Sequence, residues 1–349
     1  MRVLVLGGTG SLGARVTAAL RRLDGVEATA ANRRGRRGAL ACDVLDSASR
    51  PAMAPFDVVV NCTDGAAAPP ERAAEYCLLS GKTFVEASSH PRVLRQLVAA
   101  ATQVTEPTGT LVLGCGLAPG LTNLLAAALH AQCEGAQRLE VAVQSSLLSR
   151  AGAAACERAI DLLAEPAERF ERGARVADPP LTMAGRVRWR GGERAVFGLG
   201  LAEAELLHRS TKVPTTQALL VPSALWPTVS QRLLALFAPW SLLRLGPLRW
   251  GATKALWLLR AGLLCWRPTK VELAAYVDRG RDSERSLSLT VSRGLDGAAL
   301  AIAAIVARLR QTAPPRGVCS VDEVVTLDAV LGEMRGLAGT SLRLEGPTE

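Results

Sequence analysis

Two kinds of run alternate along the first third of the chain. Short, mostly apolar runs lie at residues 3–6, 26–31, 39–42, 56–62, 83–86 and 110–114, as expected of parallel strands buried on both faces. Between them, residues 14–23, 71–80 and 91–102 carry helical composition, and Gly81 ends the second of these stretches. Six strands joined by such crossovers predict a doubly wound parallel sheet. Further on, residues 139–143 read as a strand opening a second sheet and residues 156–170 as a helix. Residues 187–189 and 195–197 flank Gly191-Gly192 as a hairpin. Residues 286–291 alternate like a half-buried strand, and residues 296–310 and 321–334 read as helices.

The first strand runs directly into Gly7-Gly8-Thr9-Gly10-Ser11-Leu12-Gly13 and then into a helix, the context a dinucleotide fingerprint needs. Gly7 allows a tight turn off the strand, Gly10 keeps no Cβ between backbone and pyrophosphate, and Gly13 lets the helix close on the sheet. The free N–H groups opening that helix favour phosphate. Thr9, Ser11 and Leu12 complete the expected cradle; the alternative is a plain glycine-rich turn.

After the second strand the chain reads Asn32-Arg33-Arg34-Gly35-Arg36-Arg37. An acid there would accept from a ribose 2′-OH, whereas arginines suit a 2′-phosphate, so the expected cofactor is NADP, held by Arg33 and Arg34 with Asn32 assisting. A solvated basic loop is the alternative. Asp43 ends the third run and is expected near the adenine; Asn61, Cys62 and Thr63 end the fourth at the ligand-binding edge of the sheet.

The sixth run enters Gly114-Cys115-Gly116-Leu117-Ala118-Pro119-Gly120-Leu121-Thr122-Asn123. This strand–G-x-x-P-G–helix junction resembles that of the saccharopine dehydrogenase-like oxidoreductases, including saccharopine reductases and lysine 6-dehydrogenases. The N-terminal glycine motif and the helix–Gly81–strand segment ending at Glu86 are similar to that family too. The resemblance implies an α/β fold: an N-terminal Rossmann domain, an α+β domain inserted after the Pro-Gly turn, and C-terminal helices returning to the first. It places the dinucleotide-binding domain at residues 1–116 plus about 300–349. A substrate and dimerisation domain then occupies residues 117–299, in line with roughly two domains for 349 residues. It further implies hydride transfer between NAD(P) and a C–N carbon, as imine reduction or amine oxidation. The chain departs from saccharopine reductases at Ala118, Thr122 and Asn123, where they carry acidic and His residues, and Glu86 stands where the family often has Asp. Saccharopine itself is therefore not the expected substrate.

No hydrolase constellation is present. Candidate catalytic groups are Asn123, which opens the helix after the turn or merely caps it; Glu86 at the end of the fifth strand; and His90 just beyond, a general acid or a helix-entry residue. Candidate substrate contacts are Cys115, a buried thiol that could also simply pack, and the cluster His208, Arg209 and Lys212, a carboxylate or phosphate grip or a solvated loop. No proton donor stands out, so an NADP-binding regulatory protein without turnover is a competing reading.

Charge then alters the picture of the second half. The net charge is +9, and the 66 residues between Glu205 and Glu272 contain nine basic side chains and no acid, so the excess lies there. No nucleic-acid-binding module accompanies it, and no nucleic-acid partner is expected. Five of the six tryptophans, Trp226, Trp240, Trp250, Trp257 and Trp266, fall at residues 225–267 among these cations. Val229, Leu233, Phe237 and Trp240 recur at helical spacing; Trp250 and Trp257 share one face, and Arg249, Arg260 and Arg267 another. Two readings follow: burial in a homodimer interface or over an apolar pocket with the arginines exposed, or peripheral contact with an anionic membrane, which would suit a reductase of lipid-like substrates.

The remaining composition, 49% hydrophobic and 21% charged, excludes a disordered chain. Eight cysteines without disulfide or zinc spacing read as reduced cytosolic thiols, with no metal expected. The four apolar residues after Arg2 are too few for a secretory signal. The uncharged run 213–231 holds three prolines and makes a poor span, so a cytoplasmic protein is expected, in contact with the membrane surface only if the second reading of residues 225–267 holds.

Overall fold

The computed structural model describes residues 1–65, 67–145, 153–189, 192–222, 242–243, 245–262, 270–337 and 342–345. The chain begins β1 (Arg2–Leu6), α1 (Gly13–Leu20), β2 (Glu27–Asn32), β3 (Leu40–Ala41) and β4 (Val58–Asn61). It continues α2 (Glu71–Leu79), β5 (Thr83–Glu86), α3 (Pro91–Thr102), β6 (Thr110–Leu113) and α4 (Leu121–His130). Next come β7 (Arg138–Ser145), α5 (Ala153–Ala164), β8 (Ala167–Glu171), β9 (Ala174–Asp178), β10 (Met183–Trp189) and β11 (Gly192–Gly198). Then follow α6 (Glu203–Thr211), β12 (Thr215–Leu220), α7 (Gly246–Gly262), β13 (Val271–Val277) and β14 (Arg285–Val291). The last elements are α8 (Gly294–Gln311), β15 (Gly317–Ser320), α9 (Leu327–Gly336) and β16 (Leu342–Glu345).

Two compact units result: Met1–Leu124 with Leu295–Ser341, and Leu125–Gly294 with Leu342–Glu349. The first holds a seven-stranded sheet in the order β15-β6-β5-β4-β1-β2-β3, every pair parallel. Strands β1, β4 and β6 are buried almost throughout, which is why they read as apolar runs. From β1 the chain winds outward through β2 and β3, then returns to β4 on the other side of β1. The carboxyl ends of β1 and β4 therefore mark the crevice where ligands bind in sheets of this class.

The second unit contains a nine-stranded mixed sheet, β10-β11-β12-β7-β13-β14-β16, with β8 paired to β12 and β9 paired to β8. Val187, Trp189, Val196, Leu219 and Tyr276 pack together on one face. Their polar tips are satisfied: the Trp189 indole N–H donates to Glu272 at 2.9 Å, and the Tyr276 hydroxyl donates to the Arg188 carbonyl at 2.9 Å. Glu140, fully buried in β7, is held by the Nε and Nη2 groups of Arg279, whose Nη2 and Nη1 also donate to the Ala184 and Arg186 carbonyls.

Three expected elements differ. The helix expected at 156–170 stops at Ala164, because Pro166 offers no N–H and disfavours helical backbone at Glu165; the chain re-enters a sheet as β8. The helix expected at 321–334 is split: a short 3-10 turn (Val321–Glu323) precedes Thr326, whose hydroxyl accepts the Ala329 N–H and starts α9. The first sheet has a seventh strand, β15, too short and too mixed in composition to show a period. The spacing read at 229–240 lies outside the described residues, as do Trp226, Trp240, Trp266 and Arg267.

Candidate functional site

The loop leaving β1 is shaped by the absence of side chains. Gly7 has φ +70°, and a Cβ there would stand 2.8 Å from the Cys62 carbonyl oxygen. On Gly13 a Cβ would lie 2.2 Å from the Gly7 carbonyl oxygen, so the first turn of α1 rests directly on the loop backbone. Gly10 and Ser11 are exposed, α1 has no side-chain cap and no acid in its first turn, and among the described residues no protein acceptor takes the Ser11 or Leu12 N–H. That is an open, electropositive helix start.

Asn32, the last residue of β2, organises the adjoining turn. Its Oδ1 accepts the N–H groups of Arg34 and Arg36, both at 3.1 Å, and its Nδ2 donates to the Arg36 carbonyl at 2.8 Å. The same Nδ2 lies 3.3 Å from Thr9 Oγ1, keying the arginine turn to the glycine loop. Arg33, Arg34, Arg36 and Arg37 are exposed, and among the described residues none is in an ion pair. These free guanidinium groups stand beside an open helix start, and the residues present fit a dinucleotide carrying an extra phosphate. Asp43, half-buried after β3, turns its Oδ1 to the Leu45 N–H at 3.1 Å.

At the end of β4, the Cys62 N–H bonds to the Leu6 carbonyl at 3.0 Å, which ties this strand end to the glycine loop. Asn61 is fully buried and is register-paired with Glu86 on β5. Its Nδ2 donates to Glu86 Oε2 at 2.9 Å, while its Oδ1 accepts both the N–H and the hydroxyl of Thr63, at 3.2 and 2.7 Å. Glu86, also fully buried, accepts the Ser88 N–H on Oε1 at 2.7 Å. Burial pushes its carboxyl up to about 7 from 4.5, against the pull of the Asn61 and Ser88 hydrogen bonds. Burial also raises the Cys62 thiol, with Glu86 adding to it, so Cys62 is a neutral group.

The other candidates are engaged locally. His90 Nδ1 accepts the Arg92 N–H at 3.3 Å and caps α3. Cys115 is buried with its Sγ 3.6 Å from the Val112 carbonyl, and burial holds its thiol well above the ordinary range. Asn123 is fully buried; its Oδ1 accepts the Gly120 N–H at 3.3 Å, while its Nδ2 has no partner. His208, Arg209 and Lys212 lie in the second unit at the end of α6. There the His208 ring stacks on Phe170 with centroids 4.1 Å apart and bonds the Val213 carbonyl, while Lys212 Nζ donates to the Arg209 carbonyl at 2.6 Å. Fold topology thus gathers the glycine loop, Asn32, Arg33, Arg34, Asn61, Cys62, Thr63 and Glu86 at one sheet edge. Ser88 is absent from the sequence reading; it acts through a backbone N–H, which no side-chain pattern signals.

No family model matches this chain, and no curated protein matches it. Among solved structures, the chain is similar over 100% of its own length and of the other's to apo histidine-tagged saccharopine dehydrogenase (L-Glu forming) from Saccharomyces cerevisiae, with 13% identity and a TM-score of 0.65. An engineered D-amino acid dehydrogenase is similar over 95% of this chain and 96% of that one, with 13% identity and a TM-score of 0.50. The fold is that of the saccharopine dehydrogenase-like NAD(P)-binding oxidoreductases.

Proposed function

We propose that the protein is an NADP-dependent oxidoreductase that moves a hydride to or from a C–N carbon of a small substrate. The observation that carries the cofactor choice is the arginine turn, shaped by Asn32 and keyed to Thr9, with free guanidinium groups and no acid at the end of β2. The C–N chemistry rests on the shared fold and on what the two similar dehydrogenases are named for.

In this reading the glycine loop and the N–H groups of Ser11 and Leu12 receive the pyrophosphate, and Arg33 and Arg34 receive the 2′-phosphate. Bound NADP supplies the hydride chemistry itself. The chain's own residues then position and hold protons. Asn61 fixes Thr63 and Glu86 at the strand ends, and Glu86 holds a proton on its carboxyl close to neutrality, where a group serving as acid or base is most effective.

Replacing Arg33 and Arg34 together with alanine tests the cofactor assignment. A charge-assisted contact to phosphate is worth about 1.5–3 kcal/mol, so NADPH affinity is expected to fall roughly ten- to hundredfold while NADH affinity changes little. Titration of both cofactors by fluorescence reads this; equal affinity of the unaltered protein for the two would refute the assignment. Screening amino acids, amines and imines for cofactor turnover tests the chemistry, and tight NADPH binding without any turnover would favour a regulatory protein.

A further inference from the structure

The sequence leaves open whether the basic tryptophan segment is buried or faces a surface, and α7 bears on that choice. Arg249, Ala252 and Leu256 lie on one side of this helix, and Arg249 is paired with Asp161 at 2.7 Å and Glu157 at 3.3 Å on α5. The polar anchor therefore points inward. On the outward side, Trp250 is 66% exposed, Leu258 61% and Trp257 39%. Lys254 lies between the two indoles, 6.0 and 5.7 Å from their centroids, and is the one cation whose described side chain sits on that face. Leu242 and Leu245, just before the helix, are exposed too. An ordinary surface helix buries its apolar stripe; this one presents it to solvent.

We propose that the outward face of α7 docks onto an anionic membrane surface, lying in the headgroup plane. Indoles flanking a lysine suit that boundary, because the rings take the apolar side and the ammonium reaches the lipid phosphates. Charge selects this occupant over a second copy of the chain. Lys254 is the one described cation on this face, so a two-fold contact centred on it would set like charge against like, whereas lipid phosphate complements it. Among the described residues no helix is long and apolar enough to cross a membrane, so the contact is a surface one. The proposal is independent of the hydride-transfer reading.

The full chain is tested by co-sedimentation with phosphatidylcholine vesicles, plain or containing about 30% phosphatidylglycerol. Binding is expected to be at least about tenfold stronger on the anionic vesicles, with a blue shift of tryptophan emission. It should fall severalfold when salt rises from about 0.1 M to about 1 M, since the screening length drops from about 10 Å to about 3 Å. The triple variant Trp250→Ser, Trp257→Ser, Leu258→Ser should lose about tenfold or more in binding, and Lys254→Glu should remove most of the anionic preference. All four positions are exposed, so circular dichroism and melting should stay unchanged. No vesicle binding, equal binding to both vesicle types, or binding that survives the triple variant overturns the proposal. So does a dimer that light scattering shows to become monomeric in the triple variant while neither protein sediments, since the face would then belong to a second copy.

Discussion

Replacing Gly120 with alanine is expected to destabilise the first unit by about 4–5 kcal/mol, a loss reserved for backbone positions that admit no alternative. Gly120 has φ +137°, and an ideal Cβ there would lie 2.0 Å from the Gly116 carbonyl oxygen and 2.4 Å from its nitrogen. Both are backbone atoms, so no side chain can swing aside. The turn would have to open, and with it the Asn123 hydrogen bond to the Gly120 N–H that starts α4. Gly38 is the matched control: its φ is +70°, but a Cβ there meets nothing within 4 Å. Alanine at that site should lose only about 1–2 kcal/mol, from the left-handed conformation alone. Calorimetric melting should show a fall of roughly 10–20 °C for Gly120→Ala and a few degrees for Gly38→Ala. Similar shifts for the two variants would mean that the tight approach to Gly116 is not what the junction requires.

The second large effect is a pH dependence centred on Glu86. Its carboxyl titrates at about 7 in the folded protein and near 4.5 when unfolded. Between these values the folded state keeps a proton that the unfolded state has lost, so stability is highest below about pH 4.5, falls as pH rises to about 7, and levels off above. At 1.36 kcal/mol per unit, the drop is on the order of 3 kcal/mol. In the Glu86→Gln variant this component disappears, so the difference in urea midpoint between the two proteins should change steadily between pH 5 and 7. A difference that stays flat over that range would show that burial does not hold the proton on Glu86. The same titration predicts a limb near pH 7 in the rate profile of any NADP-linked turnover, absent in Glu86→Gln.

Strands that lie in the middle of the first sheet were legible because burial on both faces demands unbroken apolar runs: residues 83–86 appear as β5 with the expected ends, and residues 110–114 as β6 one residue shorter. Edge strands obey no such demand. β15 (Gly-Val-Cys-Ser) joins the sheet only through its pairing with β6, and β3 is two residues long. The second sheet was harder to read, because β8 and β9 alternate weakly and carry charges that their neighbours neutralise, as Asp178 and Glu171 do for Arg169, while β12 opens on the polar run Thr-Thr-Gln. At the candidate site, glycine positions and strand ends could be read because each needs a particular residue type. That Asn61 and Glu86 form a pair follows only once the register of β4 against β5 is known. Likewise, helical spacing separates tryptophans from arginines on α7, but which group faces inward depends on the acids of α5.

The order in which the strands join each sheet bears on how this chain is made. The first sheet is closed at one edge by β15, which is translated long after its partner β6, and the second by β16, which is translated after its partner β14. Neither sheet is complete until β15 or β16 has emerged, and residues 1–349 pass between the two units three times. Until those strands emerge, β6 and β14 each hold an open row of backbone donors and acceptors. The nascent protein thus depends on whatever shields those edges until β15 and β16 emerge, and a premature stop between α8 and β15 would leave both unshielded at once.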